Sequence, residues 1–374
     1  MESLPCSSAV MQAPVVALME VTSKCNLRCS YCFHFDSVTE HCKDLSKDEW
    51  LRFFAELQSL KVFTITLTGG EPFVRPDFLD LCQGASELGL RYRILSNATL
   101  ITDADAARLA KIGRCSAVQV SLDGIGEIND AARGKGAFDK AVRGIRHLLN
   151  HGINVFPRVT LSHHNLGHLE EFADFIVNEL KIPHFGTNMA TVMGENGKNA
   201  AELEYNIHQY ADAMREHQIV NKKYPGVIQA FAGPGAMLRH WKTALKAKRD
   251  NIPMVHGGFH STCSLVYQRI CVRPDGGILA CSAFPEQVMG YINQDSLSDI
   301  WRNGKFINEM RKFRHKPLTD YAHCATCEYR PWCGGGCPAI VLQYISNDST
   351  SCAGHTCLRK FLAVEPDFDF ELDK

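Results

Sequence analysis

Up to residue 190 short apolar runs alternate with amphipathic stretches. The runs are "VVALMEV" (15–21), "VFTITLT" (62–68), "RYRILS" (91–96), "AVQVSLD" (117–123), "NVFPRVTL" (154–161) and "HFGTNMA" (184–190). They are short, several are β-branched, and turn residues bound most of them, so each predicts a strand. Helical patterns fall between them, at 46–60, 75–89, 102–113, 136–152 and 165–180. Ser46 with Glu49 forms a capping box, Thr102 is a second N-cap, and Gly89, Gly113 and Gly152 are stops. Six β–α units in series predict an α/β fold with a parallel sheet and outer helices. Six units make a partial (β/α)6 TIM barrel, open on one side, with its site at the C-terminal ends of the strands.

The texture then changes. Residues 195–255 are polar and helical, with "AELEYNIHQYADAMREHQIVNKKY" as the clearest helix, and read as a linker or the last helix of the barrel. From 260 the chain is rich in Cys, Gly and Pro, with one clear hairpin, "YQRICVRPDGGILAC". Poor in long apolar runs, this module needs metal staples to hold together. The division expected is an N-terminal extension at 1–14, the barrel at 15–225, a linker at 226–259, the cysteine-rich domain at 260–362 and an acidic tail at 363–374.

Composition narrows the function. The 374 residues carry a net charge of −1. No basic excess points to nucleic acid or an anionic membrane as partner. No window reaches the roughly 18 apolar residues of a membrane span, and the N-terminus lacks the layout of a signal peptide. A cytoplasmic location is expected, where thiols stay reduced. Sixteen cysteines are many for such a chain. Metal binding or redox chemistry is then the leading reading. Cys6, Cys42, Cys82 and Cys115 are scattered and read as small apolar residues.

The others cluster. "CNLRCSYC" places Cys25, Cys29 and Cys32 directly after the first strand, with aromatic Tyr31 before the third thiol. A four-iron cubane needs an outer ligand at each iron. Three thiolates fill three corners and leave one open, as catalytic metals require. A zinc loop or incidental thiols are the alternatives. Further motifs close later strands. "TGGEP" carries Gly69, Gly70 and Glu71, where glycines permit close backbone approach and the carboxylate can accept from an ammonium. "SNAT" offers Ser96 and Asn97 to a ribose, or is a polar turn. "SLDG" and "NDAARG" carry Ser121 and Arg133, and an Arg fork suits a carboxylate. "RVTL" (158–161) ends the fifth strand. Near the C-terminus, nine cysteines fall between 263 and 357, including "CATCEYRPWCGGGC". That block alone fits a zinc ribbon, but nine thiols suffice for two four-ligand clusters.

"CNLRCSYC" resembles the signature of radical S-adenosylmethionine (SAM) enzymes, and the C-terminal spacing resembles their SPASM extension. The resemblance runs from about residue 15 to 362. It implies a [4Fe-4S] cluster on Cys25, Cys29 and Cys32, with SAM on the open iron and split by one electron into a 5′-deoxyadenosyl radical that abstracts hydrogen. It implies that Glu71 holds the SAM amino group, that Ser121 and Arg133 take its ribose and carboxylate, and that backbone near 158–161 touches adenine. It also implies two auxiliary clusters, one on Cys263, Cys271, Cys281 and Cys337, the other on Cys324, Cys327, Cys333 and a last thiol, Cys357 or else Cys352. Fully ligated auxiliary clusters suit electron transfer, so a two-electron oxidation or a crosslink is expected.

SPASM enzymes mostly modify ribosomal peptides, and some oxidise haem precursors. The sulfatase-maturing branch carries Asp where this chain has Ser282. With the first cluster thiol at residue 25 there is no room for the leader-binding domain of many peptide maturases. The texture around "RYRILSNATLIT" resembles cyanobacterial-type peptide-modification cassettes. The partners implied are a precursor peptide, a separate leader-binding protein, and an electron donor such as flavodoxin or ferredoxin. The alternatives are a small-molecule oxidoreductase of the haem-precursor type and a non-catalytic iron–sulfur carrier. No spacing singles out a general base.

Overall fold

The computed structural model describes residues 10–32, 34, 38–190, 205–345 and 357–371. Six strands appear where the apolar runs predict them: β1 Val16–Glu20, β2 Thr64–Thr68, β3 Arg91–Ser96, β4 Cys115–Ser121, β5 Val155–Leu161 and β6 Phe185–Met189. All pair in parallel with their sequence neighbours. Helices α1 Lys47–Ser59, α2 Phe78–Glu87, α3 Asp103–Ile112, α4 Glu127–Arg133, α5 Ala137–Asn150 and α6 Leu169–Asp174 connect them.

Local chemistry starts and stops these helices. Ser46 accepts the Glu49 N–H at 3.3 Å while Glu49 accepts the Ser46 N–H at 2.8 Å, the expected capping box. Thr102 and Asp105 repeat it at α3, and Gly113 ends that helix at φ +74°. Trp50, Phe53, Phe54 and Leu57 form one buried stripe of α1. Each contributes about 2 kcal/mol by burial. Strand alternation supplies the matching face. Ala17 and Met19 of β1, Ile65 and Leu67 of β2, and Tyr92 and Ile94 of β3 are buried in the same cluster as that stripe. Their neighbours along each strand point to the opposite, inner face.

Three features depart from the sequence reading. The stretch 226–259, expected as a linker, folds as a further unit: β7 Ile228–Ala230 pairs with β6 in parallel, and a helix, Pro234–Arg249, follows. Between α6 and β7 lies α7, Ile207–Lys223, capped by Asn206; the Pro234–Arg249 helix is α8. Helix α4 has no counterpart in the sequence reading. The cysteine-rich module also joins the barrel sheet: β8 Arg269–Val272 pairs with β1 in parallel, and β9 Ile278–Leu279 turns back against β8. The result is one open nine-stranded sheet, ordered β7-β6-β5-β4-β3-β2-β1-β8-β9. Among the described residues no helix is long and apolar enough to cross a membrane.

Candidate active site

The loop carrying Cys25, Cys29 and Cys32 leaves the C-terminal end of β1 and is anchored on three sides. Asp44 accepts from the Thr22 hydroxyl at 2.6 Å and from the Ser23 N–H at 2.7 Å. The β2 turn donates to it, Gly70 N–H to Thr22 O at 2.9 Å and Glu71 N–H to Lys24 O at 2.8 Å. On the far side, Ser30 N–H reaches Ala132 O of α4 at 3.0 Å. The glycines of "TGGEP" are required by this contact. A Cβ on Gly69, at φ +146°, would lie 2.4 Å from Thr22 O; one on Gly70 would lie 2.3 Å from Lys24 O. Their close approach is to the backbone of the thiol loop itself.

The Glu71 carboxylate is 1% exposed and already engaged. Ser96 Oγ donates to it at 2.8 Å, Asn97 N–H at 2.7 Å and Phe73 N–H at 3.1 Å. Burial pushes its carboxyl up to about 7 against the pull of these bonds. Asn97 in turn braces the thiol loop: its Nδ2 donates to Asn26 Oδ1 at 3.0 Å and lies 4.0 Å from Cys25 Sγ. Glu71, Ser96 and Asn97 are thus a frame joining β2, β3 and the loop. Three donors fill three of the carboxylate's roughly four acceptor sites, and Ser96 and Asn97 are engaged within the same frame.

A buried group that the sequence reading passed over lies at the end of β4. Asp123 is 2% exposed. It pairs with Arg133 Nε at 2.7 Å, accepts the Thr160 N–H at 2.8 Å and accepts the Tyr31 hydroxyl. Arg133 sits 5.6 Å from the Tyr31 ring centre and 3.9 Å from Cys29 Sγ. Burial opposes the Arg133 charge, but Asp123 more than restores it and holds the guanidinium above its ordinary value. Burial pushes the Tyr31 hydroxyl well up; Arg133 pulls it back and Asp123 pushes it further, so it remains a donor. Three predicted residues, Tyr31, Cys29 and Arg133, therefore meet around one unpredicted carboxylate. Its only signal in the sequence was its place inside "SLDG". Ser121, half-buried, closes β4 opposite Arg158 of β5.

Burial pushes the Cys29 thiol up to about 11 and the Cys25 thiol in the same direction. Thiolates at such depth need a bound cation, which an iron–sulfur cluster provides. The C-terminal cysteines form two groups. Cys263, Cys281 and Cys337 line a small cavity of about 30 Å³ with Leu265, Val266 and Phe284. Cys271, on β8, acts electrostatically with Cys281, and burial pushes its thiol up to about 12. Cys324, Cys327, Cys333 and Cys357 line a second small cavity, of about 20 Å³. There Gly335 N–H donates to Cys333 Sγ at 3.4 Å, the kind of bond that tunes a cluster. Cys352 lies outside the described residues. Four thiols at each site are the donor set that an iron–sulfur cluster takes.

Comparison with known proteins agrees with this geometry. Residues 19–176 match the model of the radical SAM superfamily, and residues 263–328 that of the iron–sulfur cluster-binding SPASM domain. Mycofactocin maturase MftC of Mycolicibacterium smegmatis is 28% identical over 88% of this chain and 79% of its own length. Fe-coproporphyrin III synthase of Methanosarcina barkeri is 28% identical over 86% of this chain and 82% of its own. The crystal structure of Streptococcus suis SuiB bound to its precursor peptide SuiA superposes with a TM-score of 0.74 at 20% identity, over 93% of this chain and 77% of SuiB. The chain belongs to the radical SAM superfamily and carries a SPASM domain, and its cofactors are SAM, a [4Fe-4S] cluster and auxiliary iron–sulfur clusters.

Proposed function

We propose that this enzyme is a peptide maturase that oxidises or crosslinks a side chain of a ribosomal precursor. One observation carries the reading: a three-thiol loop at the C-terminal end of a parallel sheet, braced by β2, β3 and α4. Bound there, cluster and SAM supply a 5′-deoxyadenosyl radical able to take hydrogen from an unactivated C–H bond. Cys25, Cys29 and Cys32 hold three irons. Tyr31, Ser121, Arg133 and the Gly69–Gly70 backbone face the SAM site, while Glu71, Ser96 and Asn97 fix its frame and Asp123 fixes Arg133 and Tyr31. Cys263, Cys271, Cys281 and Cys337 hold one auxiliary cluster; Cys324, Cys327, Cys333 and Cys357 hold the other. Four thiols on each leave no corner for substrate, which favours electron transfer and a two-electron outcome.

Support for a peptide comes from MftC, named as a maturase, and from SuiB with its precursor. The Fe-coproporphyrin III synthase relative, at the same identity as MftC, favours a second reading, oxidation of a haem precursor. Anaerobic reconstitution should give about twelve irons per chain if all three clusters are cubanes. With SAM and dithionite the enzyme should release 5′-deoxyadenosine, and Cys29→Ala should not. Mass spectrometry of candidate precursors separates the two readings. Wild type that holds its iron yet yields no 5′-deoxyadenosine would refute both.

A further inference from the structure

Three arginines share the inner face of the sheet. On β3, Tyr92 and Ile94 are buried in the helix-covered core, so Arg93 points the other way. Val155 and Val159 do the same for Arg158 on β5, and Ile270 and Val272 for Arg269 on β8. Arg93 and Arg269 act electrostatically on Arg158 across that interior. Burial lowers the Arg158 pKa first, and the charges of Arg269 and Arg93 lower it further.

Arg158 and Arg269 are half-buried and Arg93 is exposed, whereas other enclosed arginines have counter-charges or carbonyls. Arg133 has Asp123, Arg273 has Asp275, and Arg311 donates to Val266 O and Trp301 O. Among the described residues Arg93, Arg158 and Arg269 make no ion pair and no hydrogen bond. Arg269 faces the thiols of Cys263, Cys271 and Cys281, whose pKa values it lowers. Arg158 and Arg93 have no such neighbour. Converging like charges without a counter-ion are costly and mark a binding site for an anion. Arg158 lies opposite Ser121, at the end of the strands that carries the thiol loop. Its guanidinium also stands 5.7 Å from the ring of Phe231, which is 61% exposed and packs edge-on to Phe156 at 6.2 Å. An exposed aromatic beside an unmatched cation suits a ligand with an acidic group next to an apolar one.

We propose that Arg158, supported by Arg93 and Arg269, binds a carboxylate of the peptide substrate, with Phe231 covering an adjacent apolar group. This rests on the maturase reading and narrows its substrate to one bearing an acidic side chain or a free C-terminus near the reacting position. The test uses reconstituted holoenzyme with SAM and two eight-residue probe peptides that differ only in a central Glu or Gln flanked by Phe, titrated calorimetrically. Wild type should prefer the Glu peptide about tenfold, as expected for a charge-assisted bidentate contact. The preference should vanish in Arg158→Gln, shrink in Arg93→Gln and survive in part in Arg158→Lys. Melting of the ligand-free protein provides an independent check: Arg158→Gln should be at least as stable as wild type, because repulsion is relieved. Wild type without a preference for the Glu peptide, Arg158→Gln that keeps it, or Arg158→Gln that melts several degrees lower overturns the proposal. Release of 5′-deoxyadenosine by wild type reports on the maturase reading separately, so the two can fail independently.

Discussion

Asp123→Asn is the sharpest single perturbation of the site. It removes the carboxylate paired with Arg133, whose side chain is 8% exposed, and the partner of the Tyr31 hydroxyl. The Asn oxygen can still accept the Thr160 N–H, but its NH2 faces two donors. The guanidinium cannot shed its proton, so it becomes an uncompensated buried charge. Breaking such a pair from one side costs about 3–5 kcal/mol. For a chain of 374 residues, at about 1.3 °C per kcal/mol, the melting temperature should fall by roughly 5 °C. Removing Arg133 as well should recover part of this, because Asp123→Asn/Arg133→Gln leaves no orphan charge. Thermal unfolding of the two single variants and the double variant measures the coupling. A merely structural pair would show nothing more. Here the electron-resonance spectrum of the reduced cluster should also lose its response to added SAM in Asp123→Asn at temperatures where the protein is folded. A single variant within about 1 kcal/mol of wild type, or a double variant no more stable than Asp123→Asn, refutes the reasoning.

Gly70→Ala would press a methyl group against Lys24 O, which sits 2.3 Å from the position of its carbon; the loop must move, and about four of the expected twelve irons should be lost, by iron assay. Retention of all the iron would show that the loop tolerates the shift. Cys357→Ser should likewise lose about four irons, and Cys352→Ser none, which decides the last auxiliary ligand. His217 is buried between α7 and β6, and burial holds its imidazole down to about 4 although Ala213 O favours the charged form. The unfolded chain protonates near 6.5 and the folded chain does not, so stability is complete above about 6.5 and falls as pH drops towards 4. Unfolding free energies across that window should lose up to one proton of slope in His217→Gln; parallel curves for wild type and variant would contradict it.

What the sequence discloses is what local chemistry decides. The β3 run "RYRILS" and the strand Arg91–Ser96 coincide because Tyr92, Ile94 and their polar neighbours alternate cleanly. The Ser46 capping box fixes the start of α1 before any tertiary contact is considered. β7 is different. Three residues, Ile228–Ala230, are too few to show a period, and only pairing with β6 makes them a strand. The seven residues of α4 lie between Gly126 and Gly134, which obscure its helical pattern. β8 reads as part of a hairpin from its own residues; its parallel seat beside β1 is a contact across some 250 positions that no window can contain.

The same boundary runs through the site. Three thiols on one loop are legible because their spacing is the chemistry. The demand for glycine at 69 and 70 is legible too, but what they approach is the Thr22–Lys24 backbone, which only the folded turn reveals. Glu71 shows why a motif does not by itself assign a role: a carboxylate at the right place in a sequence says nothing about how many donors already fill it. Asp123 and the three lumen arginines are the converse. Arg93, Arg158 and Arg269 each look like an ordinary polar position of an alternating strand. Their significance is collective: they share the inner face of the sheet and act on one another electrostatically, and among the described residues no carboxylate pairs with them. Charge that a fold gathers and leaves unmatched is information about a ligand, and it is written in the sheet rather than in any one segment.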